Sequence, residues 1–182
     1  MFFNCTLQLI ILFCSGLLFV LQPEPASAGR QADETQLKAA YIYNFGKYVT
    51  WPTITATDPL EICLLGSDPL ADPLQKLEEK KIGDRSITFD LLDSTSGKAD
   101  CEVLFISRSQ QEQLAGTLAQ LEGNAVLTIS DIQGFAGKGG MIELVRKENK
   151  ISFIINIDRV QRAGLIISSR LLRLATILSG DQ

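Results

Sequence analysis

Over residues 33–49 the polar and apolar positions repeat with a helical period. Leu37, Ala40, Tyr41, Asn44, Phe45 and Tyr48 recur at i, i+3, i+4, i+7, i+8 and i+11, which predicts an amphipathic helix with these residues inward. Trp51 and Pro52 should end it, because the residue before proline avoids the helical region. The pattern then changes to short apolar runs, EICLLGSD, EVLFISRS and AVLTISD. Each closes on small polar residues: Gly66 and Ser67, then Ser107, then Ser130 and Asp131. Unbroken runs of this length suit strands covered on both faces, as in a parallel sheet. Helices are expected between them, at 73–80 and 110–121. The second should open on a capping box of Ser109 and Glu112 and stop at Gly123. SITFDLL, at 86–92, reads as a further strand at an edge of the sheet.

The last third has a different grammar. MIELVRKENKISFIINI predicts two strands around 147–149, a hairpin with a loop and not a tight Asn-Gly turn. DRVQRAG should form a short helix stopped at Gly164. SSRLLRLATIL should form another, begun by a serine cap, with Leu171, Leu172, Leu174, Ala175 and Leu178 on one side. The expected class is α/β: a three-layer sandwich with a mostly parallel central sheet plus a C-terminal antiparallel hairpin, flanked by helices. One domain is expected over residues 37–180, after a short lead at 29–36.

Residues 1–28 stand apart from that fold. Positions 7–21 are apolar except for Gln8 and Ser15, and ASAG follows two prolines. That is the form of a secretory signal cleaved after Ala28. The alternative, an uncleaved membrane anchor, would need about 20 apolar residues. Cleavage removes only one charged residue, Glu24, so the mature chain stays mildly acidic, with no electrostatic footprint for nucleic acid or anionic lipid. It also removes Cys5 and Cys14, leaving Cys63 and Cys101. In an oxidising compartment two such thiols are expected to join. If they lie on adjacent strands the bridge is sterically feasible and would stabilise the fold by about 4 kcal/mol in the chain-entropy model. A reduced packed pair and a dithiol oxidoreductase are the alternatives.

The chain contains no histidine, which removes Ser-His-Asp and Cys-His nucleophile pairs, His-ligated zinc and imidazole acid-base chemistry. GFAGKGGM resembles a phosphate cradle, but a cradle opens a helix, and here the strand MIELV follows. A tight loop with glycines at positive φ is the better reading. Asp68 and Asp72, each before or beside a proline, read as turn and helix-cap residues ahead of a metal pair. Tyr41, Phe45, Tyr48 and Trp51 read as core ahead of an aromatic pocket. No catalytic residue, cofactor or metal ligand is expected. In open α/β sheets ligands bind beyond the carboxyl ends of the strands, so Gly66, Ser67, Ser107, Ser130 and Asp131 form a candidate ligand edge.

Through LKAAYIYNFGKYVTWP, ICLLGSDPL, LTISDIQGFAGKGGMIELV and ISFIINIDRVQRAGLIISSRLLRLATIL the chain strongly resembles the YfiR family of exported bacterial proteins, in order from about residue 37 to 178. The resemblance implies a periplasmic, non-catalytic regulator that binds the periplasmic part of an inner-membrane signalling protein, above all a diguanylate cyclase, and holds it inactive, with consequences for cyclic-di-GMP and biofilm. It implies that Cys63 and Cys101 are joined. Relatives under redox control carry a second cysteine pair near the glycine loop, where this chain has Ala136 and Glu143. Where FEIN is common, this chain has Phe153, Ile154, Ile155 and Asn156. The expected docking surface is the glycine loop, the final hairpin and the helix after it: Phe135, Gly139, Gly140, Met141, Phe153, Ile154, Asn156 and Val160. A homodimer is a further candidate partner. A small-ligand module serving a sensor kinase or outer-membrane receptor, and an enzyme of disulfide exchange, are the competing functions.

Overall fold

A computed structural model describes residues 26–52, 58–93, 101–147 and 150–180, with side chains from Glu34 onward. The expected signal therefore lies outside the described residues except for 26–28. The chain divides into Met1–Arg30 and Gln31–Gln182. Residues 26–30 open a helix, α1 (Ala26–Tyr48), which begins earlier than the periodicity predicted.

The remaining elements build two sheets. Strands β1 (Val49–Thr50) and β9 (Ile166–Ile167) pair antiparallel. The main sheet comprises β2 (Leu60–Leu65), β3 (Lys81–Ile82), β4 (Arg85–Leu92), β5 (Val103–Ile106), β6 (Leu127–Ser130), β7 (Ile142–Lys147), β8 (Lys150–Asn156) and β10 (Thr176–Leu178). Its order is β10-β8-β7-β6-β5-β2-β4-β3. From β4 through β2, β5 and β6 to β7 every pairing is parallel; β8 turns antiparallel to β7, and β10 runs parallel to β8. SITFDLL thus lies one short strand in from the edge, with β3 pairing only with Arg85 and Ser86 of β4. Lys147 pairs with Lys150 at the end of the hairpin, and residues 148 and 149, within the loop expected there, lie outside the described residues.

Alternation along the central strands sends side chains into two cores. Ile62, Leu64, Val103, Phe105, Leu127 and Ile129 face one way, toward Ala39, Ile42 and Phe45 of α1. Cys63, Leu65, Leu104 and Ile106 face the other, toward Leu114, Ile132 and Phe135. That is the three-layer arrangement expected. Short helices cover the sheet: α2 (Ala71–Gln75) continued by a 3₁₀ turn (Lys76–Glu79), a 3₁₀ turn (Arg108–Gln113) leading into α3 (Leu114–Gln120), α4 (Ile157–Arg162) and α5 (Ser169–Leu172).

Three local expectations need correction. The buried stripe of α1 is Ala39, Ile42, Phe45 and Gly46, while Leu37 is exposed. Small residues let the helix approach closely: a Cβ on Gly46 would sit 2.8 Å from the Leu60 side chain. A search weighted by apolar bulk therefore selects the wrong stripe. The cap before α3 is Ser107, whose side chain accepts from the Ser109 amide, and not the box of Ser109 and Glu112. SSRLLRLATIL is not one helix. The Ser168 cap is present, but α5 ends at Leu172 and the chain enters the sheet as β10, leaving Leu174 exposed. Backbone pairing with β8 outweighs the helical pattern there.

Tyr41, Phe45 and Phe153 stack at centroid distances of 5.1 to 6.0 Å, and Trp51 is buried, so the aromatic stripe is core as expected. Asp68 makes a turn, accepting from the Leu70 amide at 2.9 Å; Asp72 lies within the first turn of α2 and caps nothing.

Candidate functional site

At the carboxyl ends of β2, β5 and β6 the side chains are engaged with one another. Ser107 Oγ donates to the Ser67 carbonyl at 2.7 Å and accepts from the Ser109 amide. Ser130 Oγ donates to the Ile106 carbonyl at 2.7 Å and accepts from the Ile132 amide. Both serines are buried. Gly66, at φ 88°, has the Ser109 hydroxyl against it, so a Cβ there would collide at 2.4 Å. These residues close strands and start turns, and the hydroxyls of Ser107 and Ser130 already have partners within the fold.

Asp131 belongs to a charge chain that sequence reasoning missed. Its carboxylate accepts from Lys38 Nζ at 2.7 Å and from Arg108 Nε at 3.1 Å. Lys38 also meets Glu34 at 2.8 Å, and Glu34 meets Arg146 at 2.6 Å. Burial works against the Lys38 ammonium, yet its hydrogen bonds to Asp131 and Glu34 prevail and hold its pKa above the usual lysine value. Glu34 is held below the usual carboxylate range, chiefly by the Lys38 hydrogen bond. The Glu34–Lys38 spacing is a readable i,i+4 pair. The contact of Lys38 with Asp131, 93 positions away, has no local signal.

Asp68 lies near this chain and has its pKa raised by burial. A carboxyl whose pKa is higher folded than unfolded makes stability fall as pH rises through the carboxylate range. Asp68→Asn keeps an acceptor for the Leu70 amide and removes the charge. Its Tm is expected to exceed that of the wild type at pH 7, and the advantage to vanish below about pH 4, where the acid is itself neutral. Calorimetry across that range checks it.

Cys63 and Cys101 form a disulfide with α-carbons 6.0 Å apart, linking β2 to the approach of β5. Both residues are buried in the core that also holds Phe135. Glu61 lies close to the two sulfurs, but joined sulfurs offer no thiolate for a metal.

The glycine loop, residues 134–140, is held from several sides. Gly134 and Gly139 adopt positive φ, as the sequence required. Phe135 is fully buried, and Gly140 passes directly over its ring, where a Cβ would come within 2.1 Å. Glu143 on β7 accepts from the Gly134 amide at 2.8 Å and the Ala136 amide at 3.1 Å. Asn156 donates to the Ala136 carbonyl at 2.9 Å and also caps α4, accepting from the Arg159 amide.

Compared with known protein families, residues 35–176 match the YfiR/HmsC-like family. The chain belongs to that family. No curated protein matches it.

For a YfiR/HmsC-like domain with one bridge, the clamp on the glycine loop is informative. At Ala136 and Glu143, the positions expected for a second cysteine pair, the contact is a carboxylate gripping two backbone amides. Glu143 stands opposite Ile154 across the hairpin. Directly opposed residues share a face at about 5 Å, so an acid at 154 would confront the Glu143 carboxylate. The apolar Ile154 is compatible with it.

The expected docking residues separate into two groups. Phe135, Met141, Phe153 and Val160 are 0%, 8%, 4% and 1% exposed, and Gly140 is buried. They lie beneath the surface, where they anchor the loop, the hairpin and α4. Gly139, Ile154 and Asn156 are half-buried at the loop, hairpin and start of α4, and together they remain accessible.

Proposed function

We propose that this protein is an exported regulator that docks through its glycine loop, the β7–β8 hairpin and α4 onto the periplasmic part of an inner-membrane diguanylate cyclase and holds that enzyme inactive. Membership of the YfiR/HmsC-like family is the observation that carries this reading. Two features support it. The buried disulfide suits an oxidising compartment. The loop is tied down by Glu143, Asn156 and Phe135, so that a partner would meet a surface already ordered, at little entropic cost. Among the described residues no helix is long and apolar enough to cross a membrane.

Repression needs only differential affinity. Moving a cyclase from about 99% active to about 1% active requires the repressor to bind the inactive form on the order of 10⁴-fold more tightly. Deleting the gene is expected to raise cellular cyclic-di-GMP, and expressing the wild-type protein to restore it. Unchanged cyclic-di-GMP on deletion would overturn the reading.

A further inference from the structure

Beside the glycine loop lies a groove whose lining stands out against the rest of the molecule. Lys138, Arg159 and Arg162 converge around Gly139, in a chain of net charge −4. Gly139 makes room for this: a Cβ there would meet the Arg159 guanidinium at 3.4 Å. Two recesses share Gly139, Arg159 and Arg162 and so adjoin as one trough-like lining. Toward one end the lining is aliphatic, with Leu118, Leu121 and Met141. Two acids border it, Asp158, which accepts from the Gly180 amide at 2.8 Å, and Glu122, which pairs with Arg159 at 3.3 Å, so the three cations still outnumber the acids. The Glu122–Arg159 pair is largely exposed, and a pair of that kind is weak and readily exchanged.

We propose that this groove receives an acidic peptide segment of the membrane partner, carrying an aliphatic side chain toward Leu118 and Leu121 and carboxylates toward Lys138, Arg159 and Arg162. Charge complementarity selects an acidic occupant. The aliphatic end beside the cations selects a segment of chain over a single small anion. A carboxylate of the incoming segment replaces Glu122 at Arg159. The identity of the partner rests on the regulatory reading above, whereas the chemistry of the groove does not.

The test has two arms. In the first, a blocked peptide of alternating leucine and glutamate is titrated into isotope-labelled protein, with its leucine–lysine counterpart as control. The amides of Leu121, Lys138 and Gly139 are expected to shift saturably with the acidic peptide alone. Lys138→Glu should weaken that binding, and Lys138→Glu with Arg162→Glu should weaken it by about tenfold or more. No shift in the groove, or equal shifts with the lysine peptide, overturns the proposal. In the second, the charge-reversed variants complement a deletion strain. They are expected to accumulate in the periplasm with unchanged Tm yet fail to lower cyclic-di-GMP, while Lys138→Arg with Arg162→Lys restores it. Full repression by folded Lys138→Glu/Arg162→Glu overturns the proposal even if deletion itself confirms a regulator. A deletion without effect removes the regulatory reading and leaves the peptide arm to decide the groove.

Discussion

The double replacement Cys63→Ala/Cys101→Ala is expected to lower the Tm by roughly 8 to 16 °C. The bridge spans a sequence separation of 38. Closing a loop of that size removes about 4 kcal/mol worth of denatured-chain freedom, and for a domain of this length each kcal/mol corresponds to about 2 to 4 °C. Against a typical stability of about 5 to 15 kcal/mol, the loss is a large fraction. The fold itself should survive, since β2 and β5 still pair in parallel register from Ile62 with Val103 to Leu65 with Ile106. Because both residues are buried, glutathione should reduce the bridge only as the domain opens. Calorimetry with and without reductant measures both effects; a Tm shift of less than about 2 °C would contradict the assigned role.

Glu143→Ala is expected to release the glycine loop. Its carboxylate is buried and serves two backbone amides. Bonds to a charged acceptor contribute about 1.5 to 3 kcal/mol each; because Gly134 is half-buried and water can reach it, we take about 3 kcal/mol for the pair. Amide exchange over 134–140 should rise sharply while the strands around Phe105 and Ile129 keep their protection. Phe135, buried in the opposite core from those residues, would still tether the loop, so a local loosening precedes global loss. Glu143→Gln, which keeps one acceptor oxygen, should lose about half as much. In cells, the proposed repression should weaken in Glu143→Ala out of proportion to the protein's abundance, since the proposed docking surface loses its order. Unchanged exchange at Gly134 and Ala136 would refute the clamp.

How much of this was legible in the sequence differs by kind of signal. The apolar runs ending at Leu65, Ile106 and Ser130 became adjacent parallel strands because a doubly covered strand needs apolar residues on both faces. The positive φ of Gly134, Gly139 and Gly164 followed from their places at turns and a helix end. Where two patterns competed, the local one misled. Leu174 and Leu178 fit a helical stripe, but the open edge of β8 claimed residues 176–178 as a strand. Leu37 looked more apolar than Ala39, yet packing distance, not bulk, chose the buried side of α1.

The surface was the hardest part to read. Phe135, Met141, Phe153 and Val160 lie in the glycine loop, the hairpin and the helix after it, but neighbours in sequence can point to opposite sides of a sheet. Period-two alternation puts Phe153 in the core and Ile154 on the other face. Glu143 had a faint signal, a carboxylate in an apolar strand just after a glycine loop. Its role needed the fold, because the amides it holds lie across a turn. Lys38 and Asp131, and likewise Arg159 and Gly139, meet only through tertiary packing.

The central claim is tested most directly by reconstituting, in vesicles with the periplasmic side outward, a candidate inner-membrane diguanylate cyclase from the same organism, and following cyclic-di-GMP formed from enclosed GTP. Added protein is predicted to suppress synthesis saturably, and Glu143→Ala protein to do so only at higher concentration. Synthesis that continues at its full rate under saturating wild-type protein would contradict the account.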